Sequence, residues 1–145
     1  MNSAPAKTLS ELAEEIARRA HAGQFRRDGR TPYIAHPAGV AAKVGNNEIR
    51  LAVAWLHDVL EDTAETPATL AAAGMTAEVI EAVLCLTKQP EDSYEVYLLG
   101  VLNNPLARAV KIADMLHNLS DHPTPKQIRK YAGALLQLVE EEHPP

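Results

Sequence analysis

Residues 48–63 read EIRLAVAWLHDVLEDT, a segment that is nearly all apolar until four ionisable side chains appear at its end. A helix that is apolar on most sides belongs at the centre of a domain. Residues three and four apart share a helix face, so Glu61 and Asp62 are expected one turn beyond His57 and Asp58. Burying one imidazole with three carboxyl groups is costly unless a cation or a ligand compensates them. The segment therefore predicts a central helix that ends at a metal site.

Helical periodicity and capping signals continue on both sides of this segment. The arginine-rich stretch 23–37 carries two glycines and two prolines and is expected to be an irregular loop. Turn residues separate the predicted helices, and no repeat or convincing strand is present. The helices are predicted at residues 8–21, 37–45, 48–61, 66–74, 76–87, 94–102, 104–119 and 124–142. The expected fold is all-α, a compact single-domain bundle of about seven or eight short helices.

Composition limits the functions that the chain can have. Apolar residues make up 46% and charged residues 23% of its 145 residues, so we expect one domain, 1–145, with its core at about 8–140. The net charge of -5 argues against general nucleic-acid binding. We find no signal-peptide pattern and no apolar run of membrane-spanning length. A single cysteine, Cys85, fits a reducing compartment. These features predict a cytoplasmic enzyme or binding module, and they specify no oligomeric state.

Two imidazoles and two carboxylates from three predicted helices form a candidate metal site. Asp114 lies among apolar neighbours, where a carboxylate requires a partner. A nitrogen and oxygen set without thiolate suits Mn²⁺, Fe²⁺ or Co²⁺, and Zn²⁺ less well. Such an ion polarises a phosphoryl oxygen and lowers the pKa of its water. Glu61 and Asp62 are then candidates to orient that water and move its proton. The four candidate ligands are His36, His57, Asp58 and Asp114.

Structural explanations exist for the same residues. His57 and Asp58 could form a buried hydrogen-bonded pair without an ion. Asp114 and Asn118, one turn apart, could be a capping or core-polar feature. The arginines of the loop could form a solvated surface. His117 has no partner pattern and is expected at the surface or in packing. The metal hypothesis is favoured because four ionisable groups within six residues are difficult to satisfy otherwise.

With these residues the chain resembles the HD-domain phosphohydrolases, and within them the hydrolase domain of RelA/SpoT-type alarmone enzymes. The stand-alone small alarmone hydrolases are the most similar members. The resemblance runs from about Leu12 to Tyr131. Its elements are AHAGQFRR at 20–27, PYIAHP at 32–37, WLHDVLEDT at 55–63, LTK at 86–88, VKIAD at 110–114 and HNL at 117–119.

The resemblance implies an all-α HD-domain fold and a Mn²⁺-dependent hydrolase that takes part in the stringent response. The implied reaction removes the 3′-pyrophosphate of guanosine tetra- or pentaphosphate (ppGpp or pppGpp), giving GDP or GTP and pyrophosphate. No synthetase or regulatory domain is expected, and the implied partner is a small-molecule nucleotide. Lys111 is also expected to contact the substrate, because of its position on the same predicted helix as Asp114 and Asn118. The implied roles are metal ligands at His36, His57, Asp58 and Asp114, a catalytic pair at Glu61 and Asp62, guanine contacts at Arg26 and Arg27, and a ribose and phosphate contact at Asn118.

The chain departs from the family pattern at three places. Arg27 stands where many members have Lys, the loop at 28–32 is one residue longer than in the long bifunctional enzymes, and Met115 replaces an Arg. Selectivity lies in such loops, whereas the chemistry lies in the ion. Two alternatives therefore stay open: a phosphatase for another phosphorylated nucleotide such as NADPH, and a module that binds an alarmone without cleaving it. Retention of Glu61 and Asp62 speaks against the second.

Overall fold

Nine helices account for most of residues 5–139, the part of the chain that the computed structural model describes. These residues contain no strand, only an isolated bridge between Phe25 and Pro32. The all-α prediction is confirmed, and the predicted continuation of the last helix to Glu142 lies outside the described residues. The helices are α1 Leu9–Ala20, α2 Ala35–Ala41, α3 Glu48–Leu56, α4 Val59–Asp62, α5 Pro67–Ala72, α6 Ala77–Cys85, α7 Tyr94–Leu102, α8 Pro105–Leu119 and α9 Pro125–Leu138.

Side-chain caps fix where most of these helices begin. Thr8, Thr66 and Thr124 each form a capping box with the residue three positions later. Thr76 and Asn104 accept a hydrogen bond from the third backbone N–H of α6 and α8. Each such cap satisfies an amide that has no partner within its helix. The predicted starts of these helices agree with the structure because capping is local chemistry.

The apolar helix α3 lies at the centre of the fold, as predicted. Its residues 52–56 are all buried, and it packs against α1, α2, α6 and α8. Small side chains at Ala52 and Ala54 are completely buried, which allows the neighbouring helices to approach closely. The longest described helix, α8, crosses the same core and buries Val110, Ala113 and Met115. These two helices, with α2 packed on both, form the frame that positions the site.

The central helix ends earlier than predicted. A continuous helix over 48–61 was expected, but α3 stops at Leu56 and a single turn, α4, restarts at Val59. The backbone at Asp58 has φ −106° and ψ −2°, and Asp62 N–H still donates to Asp58 O at 3.0 Å. On a continuous helix adjacent side chains point about 100° apart. The break instead brings His57 Nε2 within 3.0 Å of Asp58 Oδ2.

The arginine-rich loop is a defined turn between α1 and α2. Arg26 N–H donates to Thr31 O at 2.8 Å, and the Asp28 carboxylate accepts from the Arg30 and Thr31 amides at 2.8 Å. The hydrogen bonds from Thr31 lower the pKa of Asp28 to about 2. Gly29 takes a positive φ of 70° at the tip. The turn therefore holds Arg26 at a fixed place beside the helices.

Within residues 5–139, no helix combines the length and the apolar character that crossing a bilayer requires. The longest, α8, has 15 residues, whereas a transmembrane helix needs about 20.

Candidate metal centre

Donor atoms from α2, from the end of α3 and from α8 meet at one point in the core. His36 Nε2 lies 2.8 Å from Asp114 Oδ1, and His57 Nε2 lies 3.5 Å from the same oxygen. The two Nε2 atoms are 3.3 Å apart. His36, His57 and Asp114 are 3%, 2% and 7% exposed. These three buried residues can therefore present one ligand atom each to a single ion.

Asp58, the fourth predicted ligand, lies at the edge of this triad. Its Oδ2 is 3.0 Å from His57 Nε2 and 3.8 Å from His36 Nε2. The same oxygen accepts a hydrogen bond from the Tyr33 hydroxyl at 2.5 Å. Adjacent ligands held about 2.1 Å from an octahedral ion lie roughly 3 Å apart. The donor set and its spacing fit a divalent cation, and Asp58 as the fourth ligand stays a prediction.

The charges at this point would attract a cation. Burial alone would lower the pKa of His57, but the charges of Asp58 and Asp114 outweigh it and hold that pKa well above its usual range. Burial would raise the pKa of Asp114, but Lys111 and the two imidazoles hold it well below its usual range. The same field that favours a proton on His57 favours a divalent ion between these groups.

Lys111 and Asn118 contact the centre through Asp114. Lys111 Nζ donates to Asp114 Oδ2 at 3.0 Å, and its ammonium lies 5.4 Å from the centroid of the Tyr97 ring. Asn118 Nδ2 donates to Asp114 Oδ1 at 3.2 Å. Burial would lower the pKa of Lys111, but Asp114 raises it above its usual range. Lys111 and Asn118, which were predicted to contact the substrate, thus both donate hydrogen bonds to the predicted metal ligand Asp114 and orient its carboxylate.

The predicted catalytic pair, Glu61 and Asp62, lies on α4, one turn beyond His57. Glu61 Oε1 accepts from the backbone N–H of Lys88 at 2.6 Å, so the loop after α6 holds this carboxylate in place. Burial raises the pKa of Glu61, and the charges of Asp58 and Asp62 add to the effect. Burial likewise raises the pKa of Asp62. Both groups are therefore better proton acceptors than ordinary surface carboxylates.

A pocket of about 650 Å³ opens above the centre. Nine of the ten predicted site residues line it, and the tenth, His57, is buried behind them. The lining combines the carboxylates of the candidate metal centre and of α4 with arginine and lysine side chains. A pocket that combines cationic side chains with candidate metal ligands suits an anionic ligand that contacts an ion. Its walls include Arg26, Arg27, Lys111 and Asn118 beside His36, Asp58, Glu61, Asp62 and Asp114.

The two predicted arginines have different surroundings. Arg26 is 14% exposed at its side chain, where it pairs with Asp121 at 3.2 Å and approaches Asn118 Oδ1 at 3.5 Å. Arg27 is exposed at the pocket mouth. Phe25 is 56% exposed beside them. Arg26 is thus a largely buried part of the pocket lining, whereas Arg27 is an exposed part of it.

Three features of the pocket and of the candidate metal centre were not predicted from the sequence. The Tyr33 hydroxyl bonds to Asp58, although Tyr33 was noted only as part of the PYIAHP stretch. The start of α9 forms a wall that carries Lys130 and Tyr131. His117, expected at the surface or in packing, is half-buried and bonds His36. Its pKa is lowered by burial and by the nearby His36. No sequence signal joins positions so far apart in the chain.

Comparison with known proteins gives the chain's relatives. No family model matches it. It is 31% identical to a probable GTP pyrophosphokinase of Mycobacterium leprae over 85% of the chain. It is 33% identical over 77% of the chain to a probable guanosine-3′,5′-bis(diphosphate) 3′-pyrophosphohydrolase of Synechocystis sp.. The bifunctional (p)ppGpp synthase/hydrolase SpoT of Escherichia coli is 31% identical over 72%. The chain spans only 16–17% of the length of these relatives.

A solved structure has the same fold. It is a metazoan orthologue of SpoT, described as hydrolysing ppGpp and acting in starvation responses. The TM-score is 0.76 with 21% sequence identity, over 94% of this chain and 88% of that one. The two proteins therefore share the same arrangement of helices. The structural similarity shows the fold alone. The sequence relatives place this chain in the RelA/SpoT family, aligned with one segment of the family's long members.

Proposed function

We propose that the chain is a Mn²⁺-dependent hydrolase that removes the 3′-pyrophosphate of guanosine tetra- or pentaphosphate. The observation that carries this proposal is the meeting of His36, His57 and Asp114 beside a pocket whose lining also carries arginine and lysine side chains. Relatives named for this hydrolysis support the choice of substrate. The products would be pyrophosphate with GDP or GTP.

The metal would be held by the buried triad together with Asp58. When bound, a divalent cation polarises a phosphoryl oxygen and lowers the pKa of water. Nitrogen and oxygen donors without sulfur suit Mn²⁺, Fe²⁺ or Co²⁺, and Mn²⁺ is proposed among them because the family resemblance implies it. Lys111 and Asn118 would hold Asp114 in its orientation through the hydrogen bonds described above.

The carboxylates of α4 would manage the proton of the reaction. Water forms a new bond to the phosphorus attached to the 3′ oxygen, and the bond from that phosphorus to the 3′ oxygen breaks. Glu61 and Asp62 would take the proton released by the water and return one to the departing 3′ oxygen. The amide of Lys88 fixes Glu61 for this role, and the backbone O of Asp62 is fixed by Gln24 Nε2 at 2.9 Å.

The far end of the pocket would bind the nucleoside and its 5′ phosphates. A guanidinium can stack on a purine and bond phosphate oxygens, which suits Arg26 and Arg27. Lys130, on α9, also lines the pocket, with its ammonium 4.8 Å from the centroid of the Tyr94 ring, and would add positive charge for the phosphates. An anionic nucleotide would therefore span the pocket from these cations to the metal.

Replacing Arg26 with alanine is expected to raise KM for guanosine tetraphosphate about tenfold and to leave kcat within about threefold. Arg26 would contact the base, away from the reacting phosphorus, so it contributes equally to the substrate and transition-state complexes. Steady-state kinetics measures the effect. Arg30→Ala is the matched control, because Arg30 is exposed in the same loop and outside the pocket lining. A large fall in kcat with unchanged KM would contradict this role.

A turnover panel tests the proposed substrate. Purified protein with Mn²⁺ is incubated with guanosine tetraphosphate, its adenosine counterpart and NADPH, and pyrophosphate and phosphate are assayed separately. Pyrophosphate release from the guanosine compound supports the proposal. Phosphate release from NADPH alone would favour the phosphatase, and calorimetric binding without turnover would favour the binding module.

We also propose that residues 1–145 form one hydrolase domain with its core at about 8–140, and that it acts in the cytoplasm. Cys85 is free, which fits a reducing compartment. The proposed partner is a small-molecule nucleotide, since a net charge of -5 does not suit nucleic acid.

A further inference from the structure

His117, on α8, contacts the predicted ligand His36 from the side away from the metal. His117 Nδ1 lies 2.8 Å from His36 Nδ1, and the ring centroids are 4.9 Å apart. His36 uses its other nitrogen, Nε2, toward Asp114. A histidine that binds an ion through Nε2 carries its proton on Nδ1. With an ion on Nε2, His36 would therefore donate that proton to His117, whose Nδ1 would accept it.

His57, the predicted ligand directly after α3, has a different support. His57 Nδ1 donates to the backbone O of Ala54 at 2.7 Å. A carbonyl only accepts, so it fixes the tautomer of His57 without help from any side chain. Within residues 5–139 the imidazole of His36 has no such carbonyl among its hydrogen bonds, and its Nδ1 contacts a side chain instead.

Gly39 makes room for this side chain. A Cβ built at position 39 would lie 2.2 Å from His117 Nε2 and 2.4 Å from His117 Cδ2. Both atoms belong to the imidazole ring, so any residue larger than glycine would displace it. Gly39 is one turn after His36 on α2. The same helix therefore carries the predicted metal ligand, His36, and the glycine that leaves space for the His117 ring.

We propose that His117 is a positioning residue that fixes the tautomer and ring orientation of His36 for metal binding, and that Gly39 is required because it admits the His117 ring. The inference rests on the metal site proposed above. Partners of this kind typically change metal affinity 10- to 100-fold when they are removed. The effect should therefore appear in ion binding itself, before any substrate is present.

Calorimetric titration of the metal-free full chain with Mn²⁺ tests the proposal. His117→Leu removes the acceptor and is expected to weaken Mn²⁺ binding about 10- to 100-fold. His117→Asn places an amide oxygen where Nδ1 stood, so its Kd should stay within about threefold of the wild type. A packing role alone would not separate these two variants. Equal affinity of His117→Leu and wild type, or equal weakening by both variants, would overturn the proposal.

Gly39→Ala provides a second route to the same contact. It should weaken Mn²⁺ binding although alanine favours the helix, and the double variant with His117→Leu should bind no more weakly than His117→Leu alone. Gly100→Ala is the matched control, because a Cβ there meets nothing within 4 Å. Additive losses in the double variant would refute the role given to Gly39. If the wild-type protein bound no Mn²⁺, the proposed metal site itself would be wrong. If the wild type bound Mn²⁺ but the variants did not behave as predicted, only this inference would be overturned.

Discussion

Replacing Asp114 with asparagine is expected to abolish Mn²⁺ binding and nucleotide hydrolysis and to destabilise the fold as well. Asp114 gives one oxygen to the two imidazoles and the other to Lys111. The substitution removes the charge that the ion needs and leaves the Lys111 ammonium without its carboxylate. Breaking a buried pair from one side costs about 3–5 kcal/mol. We expect the free energy of unfolding of the metal-free protein to fall by about 3 kcal/mol.

A double variant separates the two effects of this substitution. Adding Lys111→Met to Asp114→Asn removes the unpaired cation, so most of the lost unfolding free energy should return. The ion should remain unbound, because the carboxylate is still absent. Urea denaturation without metal and Mn²⁺ titration measure the two quantities. Wild-type Mn²⁺ affinity in Asp114→Asn would show that Asp114 is not a ligand.

Glu61→Gln is expected to keep the ion and to lose about 10²- to 10⁴-fold in kcat. Glutamine retains an oxygen that can accept from the Lys88 amide, so the side chain should keep its place. It cannot take a proton, and burial of Glu61 already makes its carboxylate a better proton acceptor than usual. Mn²⁺ affinity should stay within about threefold, because Glu61 is outside the ligand set.

Glu65→Gln is the control for this variant. Glu65 follows α4 on the same segment and bonds Thr69, outside the pocket lining. Its kcat should match that of the wild type. If Glu61→Gln turned over substrate at the wild-type rate, the proton role of Glu61 would be wrong, whereas a loss of Mn²⁺ binding would make Glu61 part of the metal site.

Local chemistry explains why so much of the fold was predictable. Caps such as Thr8 and Asn104 and the apolar run of α3 act over a few residues, and each identifies an element without knowledge of its neighbours. The candidate ligands could also be predicted from the sequence, because burying imidazoles and carboxylates is costly wherever the chain places them. His36, His57 and Asp114 were therefore identifiable before their distances were known.

Features that depend on distant pairs were not predictable. The bond between His36 and His117 joins residues 81 positions apart, and the need for glycine at position 39 follows only from that contact. The helix break at Asp58 has no Gly or Pro to signal it. The wall formed by Lys130 and Tyr131 depends on how α9 packs against α7 and α8. In each case tertiary contacts override the local pattern.

Anomalous diffraction from crystals grown with Mn²⁺ would locate the ion directly. We predict one peak at the junction of α2, α3 and α8, within about 2.5 Å of His36 Nε2, His57 Nε2 and an Asp114 carboxylate oxygen. An Asp58 oxygen at the same distance would complete the predicted ligand set. A peak elsewhere, or none at this junction in protein that hydrolyses guanosine tetraphosphate, would contradict the metal centre on which the proposed activity depends.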